Sequence, residues 1–171
     1  MNVFDFAMKM EEDGKAYYEK LARQTSLQGL KNIFLRLAED EQKHYEIFET
    51  LKNSGEVSEM QETTIIDDAK NVFAELPKGA DALTGIEKDL AAYRHAMKIE
   101  ADSFRFYEDA AGKVDKPLAK NLLLKIAEEE HKHFNVLENI YRFVDAPNQY
   151  LAWGEFSNLD EFSQFGRNVD I

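Results

Sequence analysis

The sequence is written twice. Ala7-Met8-Lys9-Met10-Glu11 returns as Ala96-Met97-Lys98-Ile99-Glu100, and the run from Leu37 to His44 returns from Ile126 to His133. Tyr18-Glu19 and Lys31-Asn32 return as Tyr107-Glu108 and Lys120-Asn121. One constant offset, that between Ala7 and Ala96, relates them all without a gap. Roughly 17 of about 45 aligned positions are identical, where chance gives roughly three. Each copy also places a capping residue, Ser26 or Asp115, at the same point. The repeated unit is therefore a helix, a short turn and a second helix.

Apolar residues recur with a period near 3.6 and set the helix limits. Helices are expected from about Val3 to Arg23, Leu27 to Lys52, Thr84 to Ala111 and Lys116 to Val144. Pro117 is tolerated in the first turn of the last. The connector from Asn53 to Leu83 holds Gly55, Pro77 and Gly79, with a short helix expected from Asp67 to Leu76. Two antiparallel hairpins joined by a long connector describe an all-α four-helix bundle with a crossover. The bundle domain is read as 1–145, with repeats at about 3–52 and 84–144 around a 53–83 connector. Residues 146–171 form an aromatic-rich tail that packs on the bundle or on a second subunit.

At 171 residues the chain suits one domain. Asp and Glu total 33 against 21 Lys and Arg, a formal charge of −12, which repels phosphate backbones and argues against nucleic acid. Cysteine is absent, which excludes disulfides, thiolate nucleophiles and Cys-ligated zinc or iron–sulfur clusters in this sequence. No apolar run approaches the roughly 20 residues that span a bilayer, and residues 1–10 carry no signal-peptide core. A cytoplasmic protein is the expectation.

Six side chains do not belong in an ordinary core. Glu11 sits in the stripe of Phe4, Met8 and Tyr18, and Glu100 repeats it among Ala96, Phe104 and Tyr107. Glu41 and His44 share a face with Phe34, Leu37, Ile47 and Phe48. Glu130 and His133 do so with Leu123, Ile126, Val136 and Leu137. Glu-x-x-His places both side chains on one helix face. Buried carboxylates without partners cost several kcal/mol per charge, and no Lys or Arg lies in these stripes. Two divalent cations balance four glutamates, and neutral imidazoles complete the coordination. One Glu from each of two helices with Glu-x-x-His from the other two is the pattern of di-iron and di-manganese carboxylate bundles. A single Glu-x-x-His on an acidic helix is commonplace; two in register with two inward glutamates are not.

Other residues are read around these six. Asp40 is expected to accept the outer N–H of His133, and Glu129 that of His44. The competing reading is a solvated acidic run. Tyr18 and Tyr107, two turns beyond Glu11 and Glu100, can hydrogen-bond a ligand carboxylate, supply an oxidisable phenol, or serve as core tyrosines. His131 and His95 point to other faces and are expected to be solvated.

Ala-x-x-x-Glu-x-x-Gly-x-x-x-Tyr from Ala7 to Tyr18 and Glu-x-x-His at 41–44, with second copies at 96–107 and 130–133, resemble the rubrerythrin-like branch of the ferritin-like superfamily. The resemblance implies a non-haem di-iron centre bridged by Glu41 and Glu130, with Glu11 and Glu100 terminal and His44 and His133 each on one iron. It implies reduction of hydrogen peroxide or oxidation of ferrous iron. Well-studied rubrerythrins carry a further glutamate where this chain has Ser103, and a rubredoxin domain whose four cysteines are missing here. The symmetric site is closer to bacterioferritin, yet Gln42 stands where a haem methionine would lie, and no clear fifth helix of a cage-forming ferritin is read.

The leading expectation is thus a di-iron oxidoreductase that acts on hydrogen peroxide or dioxygen. Its electrons come from a separate donor such as a rubredoxin or a flavoprotein. Manganese or zinc fits the same ligands. Iron handling is the second reading, and a metal-stabilised interaction module without catalysis the third. A homodimer is expected, and hairpins exchanged between two chains would give the same ligand set.

Overall fold

The computed structural model describes residues 2–54, 60–75 and 90–145. Among these residues there are five helices and no strand: α1 (Val3–Gln24), α2 (Gln28–Asn53), α3 (Ile65–Glu75), α4 (Leu90–Lys113) and α5 (Pro117–Asp145). Residues 76–89, where the third long helix was expected to begin, and the tail from 146 lie outside the described residues.

The helix ends follow local chemistry. A capping box opens α1: the Asn2 side chain accepts the Phe4 N–H at 3.2 Å, and Asp5 accepts the Asn2 N–H at 3.4 Å. Ser26 is not the cap of α2. Leu27 holds that place with extended backbone and no side-chain bond, and its carbonyl accepts the Lys31 N–H at 2.9 Å. Asp115 is likewise displaced. The first bond of α5 runs from the Lys120 N–H to the Lys116 carbonyl, so Pro117 occupies the first helical position, where its missing N–H costs nothing. α3 starts two residues before the expected Asp67. The Thr63 hydroxyl accepts the Ile65 N–H at 3.2 Å, and Ile65, Ala69 and Phe73 form a buried stripe one turn apart.

The helices pair as two hairpins, α1 with α2 and α4 with α5. The hairpins meet through α1 on α4 and α2 on α5, and α3 lies against α2 and α5. Two apolar clusters fill the bundle. One gathers Leu30, Ile33, Phe34 and Leu37 of α2 with Phe134, Leu137 and Ile140 of α5, Tyr93 and Met97 of α4, and the stripe of α3. The other gathers Ala7, Phe48, Leu51, Tyr107, Leu122, Leu123 and Ile126. Each fully buried large side chain contributes about 1.5–3 kcal/mol. Along α1, α2 and α5 the sequence passes from one cluster to the other through Glu11, through Glu41 and His44, and through Glu130 and His133. The two dry ends therefore enclose a polar middle. No described helix is long and apolar enough to cross a membrane.

Candidate metal centre

Glu11, Glu41, His44, Glu100, Glu130 and His133 meet in that middle, none more than 3% exposed. They form two nests. Glu11, Glu41, His44 and Glu130 make one, and Glu41, Glu100, Glu130 and His133 the other; in each, one ligand atom per residue lies within 4.8 Å of the rest. Glu41 and Glu130 belong to both. His44 Nδ1 is 3.0 Å from Glu130 Oε1, 3.5 Å from Glu11 Oε2 and 3.6 Å from Glu41 Oε2. His133 Nδ1 is 3.4 Å from Glu41 Oε1 and 3.7 Å from Glu100 Oε2. The imidazoles lie nearly parallel, 5.8 Å apart and inclined by 21°. α1 approaches closely at Gly14, where an added Cβ would lie 3.5 Å from Glu41 Cδ, an ordinary contact.

Protein groups alone do not satisfy this cluster. His44 Nδ1, His133 Nδ1, Glu130 Oε1 and both Glu100 oxygens are buried without a hydrogen-bond partner. The protonation energetics say the same. Burial, then the Glu41 charge, push Glu11 up to about 8. Burial and the charges of Glu100 and Glu11 push Glu130 well above the usual carboxylate range. Glu41 stays below its ordinary value: burial and the Glu130 charge oppose ionisation, but the neighbouring Glu11, His133 and His44 outweigh them. Burial disfavours both imidazolium ions, yet the surrounding carboxylates hold His44 and His133 well above the usual histidine range. Protons are doing here what a cation would do better. Oxygen and imidazole donors, orphaned and aimed inward, fit two divalent ions.

Both outer ring nitrogens face an acid, but only that of His44 makes a hydrogen bond. His44 Nε2 lies 2.9 Å from Glu129 Oε2, whereas His133 Nε2 lies 3.4 Å from Asp40 Oδ2. Each of these acids reaches the histidine of the opposite hairpin. Aspartate is one methylene shorter than glutamate, which accounts for the looser second contact. Asp40 Oδ1 also accepts from Lys43 Nζ at 2.8 Å. Burial opposes its charge, but His133, Lys43 and Thr63 hold Asp40 well below the usual carboxylate range.

The tyrosines are placed unequally. Tyr107 donates to Glu11 across the hairpins, and burial with the Glu11 charge pushes its phenol well above the ordinary range. The Tyr18 hydroxyl is buried with no protein partner. Exposed His95 stands edge-on to Tyr17. His131, expected in solvent, is half-buried with its ring edge-on to Phe104 at 6.3 Å, because the aromatic side chain on α4 covers it. Sequence reasoning missed Thr63, which donates its backbone N–H to Glu129 Oε1 at 2.7 Å and its hydroxyl to Asp40. Thr63 has no counterpart in the second repeat to draw attention to it.

With this geometry in place, one comparison is decisive: the Rubrerythrin family model matches residues 2–141, from the start of α1 to the last turns of α5. The chain belongs to the rubrerythrin family. Searches of curated proteins and of solved structures return no significant match. Membership fits a ferritin-like bundle and a buried acidic and histidine cluster suited to a di-metal centre. In this rubrerythrin family chain the residue three beyond Glu100 is the buried Ser103, so four carboxylates, not five, line the nests.

Proposed function

We propose that the six residues hold two metal ions and that the chain is a non-haem di-iron oxidoreductase reducing hydrogen peroxide or activating dioxygen. The observation that carries this reading is the sharing of Glu41 and Glu130 between two otherwise separate nests. Glu11 and His44 complete one position, and Glu100 and His133 the other. With one donor atom from each of its four residues, an ion held in either position would keep coordination free for a small oxygen ligand. Two ferrous ions held by these residues would supply the two electrons needed to break an O–O bond and would stabilise the charge that develops on oxygen.

The protein contributes the rest. The apolar clusters at either end exclude water and so strengthen every charge interaction between them. Glu129 holds the His44 ring so that Nδ1 faces inward, and Asp40 stands 3.4 Å from the outer nitrogen of His133. Tyr107 steadies Glu11 and keeps a proton at its phenol oxygen beside the centre. The electrons, in this reading, come from a separate donor such as a rubredoxin or a flavoprotein. A cytoplasmic homodimer is the assembly we propose, with manganese or zinc as competing metals.

The test is anaerobic reconstitution with ferrous iron, followed by rapid mixing with hydrogen peroxide or dioxygen under near-ultraviolet absorbance. Two irons per chain, oxidised faster by peroxide, support peroxide reduction. Preferential oxidation by dioxygen with uptake of many further irons supports ferroxidase chemistry instead, a reading that the net charge of −12 favours because it concentrates cations at the surface. Failure to bind metal overturns both.

A further inference from the structure

Thr63 lies just ahead of α3 and touches both outer carboxylates of the centre. Its N–H donates to Glu129, whose other oxygen meets His44 Nε2. Its hydroxyl donates to the Asp40 oxygen that faces His133 Nε2. The same hydroxyl accepts the Ile65 N–H, which ties it to a helix anchored by buried Ile65, Ala69 and Phe73. A hydroxyl has one donor and spare acceptor capacity, so the two bonds are compatible.

We propose that Thr63 is a positioning residue that sets the orientation of both ligand histidines from outside the repeat, and does so by chemically different means for each half. The inference rests on the two-metal reading above. A backbone N–H holds Glu129, and every residue except proline supplies one. A hydroxyl holds Asp40, and only serine or threonine supplies it in this position. The Asp40–His133 contact is also the looser of the two, at 3.4 Å without a hydrogen bond against a 2.9 Å hydrogen bond, so it depends more on where Asp40 is held. Loss of the hydroxyl therefore acts on the His133 position and spares the His44 position. A role confined to starting α3 has no means of choosing between them.

The experiment uses the full chain as wild type, Thr63→Val and Thr63→Ser, with folding checked by circular dichroism and Thr63→Ala replacing a valine variant that does not fold. Cobalt(II) is titrated under its ligand-field spectrum, the two positions being assigned with His44→Ala and His133→Ala. Histidine ring nitrogen resonances are recorded on the metal-free proteins. The expected result is a loss of roughly 10- to 100-fold in cobalt affinity at the His133 position alone. The metal-free His133 ring resonance shifts, that of His44 stays, and serine restores both readouts. Equal weakening at both positions, no weakening, or a serine variant no better than valine overturns the proposal while leaving the metal centre standing. A wild-type chain that binds fewer than two cobalt ions overturns the centre itself and this inference with it.

Discussion

Tyr107 donates its phenolic hydrogen to Glu11 across the two hairpins, from α4 to α1. Its mate in the other repeat, Tyr18, is equally buried, but its hydroxyl meets no protein acceptor. Two residues that align in sequence thus do different work. In the metal-free protein Tyr107→Phe leaves Glu11 short of a donor and is expected to cost about 1–3 kcal/mol. Tyr18→Phe removes no hydrogen bond and is expected to stay within about 0.5 kcal/mol. Urea denaturation of both variants in chelator measures the difference, and equal losses would refute it.

The shared and unshared carboxylates predict different metal stoichiometries. Glu41→Ala and Glu130→Ala each damage both nests and should abolish binding of both ions. Glu11→Ala and His133→Ala each damage one nest and should leave a single ion per chain. Elemental analysis after reconstitution decides it; two ions retained in either single-nest variant means the ligand assignment is wrong.

Stability should run oppositely with pH in the metal-free and metal-loaded forms. Glu11 is raised from about 4.5 to about 8, so between these values the folded chain keeps a proton that the unfolded chain has lost. That stabilisation is complete below the unfolded value and vanishes as pH rises through the folded one. Glu130, His44 and His133 are raised and act in the same sense. Asp40 and Glu41 are depressed, and their contribution is lost only as pH falls through their folded values. Metal-free melting temperature should therefore drop from pH 5 to pH 8, while metal affinity climbs as protons leave the ligands. A metal-free melting temperature that rose across this interval would contradict the cluster energetics.

Metal should also stabilise the fold by mass action, by about 2.7 kcal/mol for each position at a free concentration one hundred times its dissociation constant. Differential scanning calorimetry with iron, manganese or zinc, then with chelator, measures this. A melting temperature indifferent to all three metals would leave the orphaned donors unexplained.

Much of the fold could be read in the sequence because a duplicated hairpin carries its own check. Every inward glutamate or histidine of one repeat has a mate in the other, and the structure gathers all six. Finer detail was lost where local rules competed. Ser26 and Asp115 look like caps, yet α2 and α5 begin one residue later than such caps require. The Thr63 hydroxyl accepts the first N–H of α3, so the helix begins at Ile65 and not at Asp67. Thr63 escaped notice as part of the centre because nothing in its local pattern signals contact with Asp40 and Glu129, both more than 20 positions away. The exposure of His131 was misjudged because a helical wheel does not show the Phe104 ring from α4.

Each nest draws three residues from one repeat and one from the other. Neither hairpin can complete a metal position alone, so an ion bound there latches the two halves of the molecule together. Its occupancy is then a readout of correct assembly. Amides at the α1–α4 and α2–α5 seams should exchange with solvent far more slowly once metal is bound, while those within a single hairpin change little.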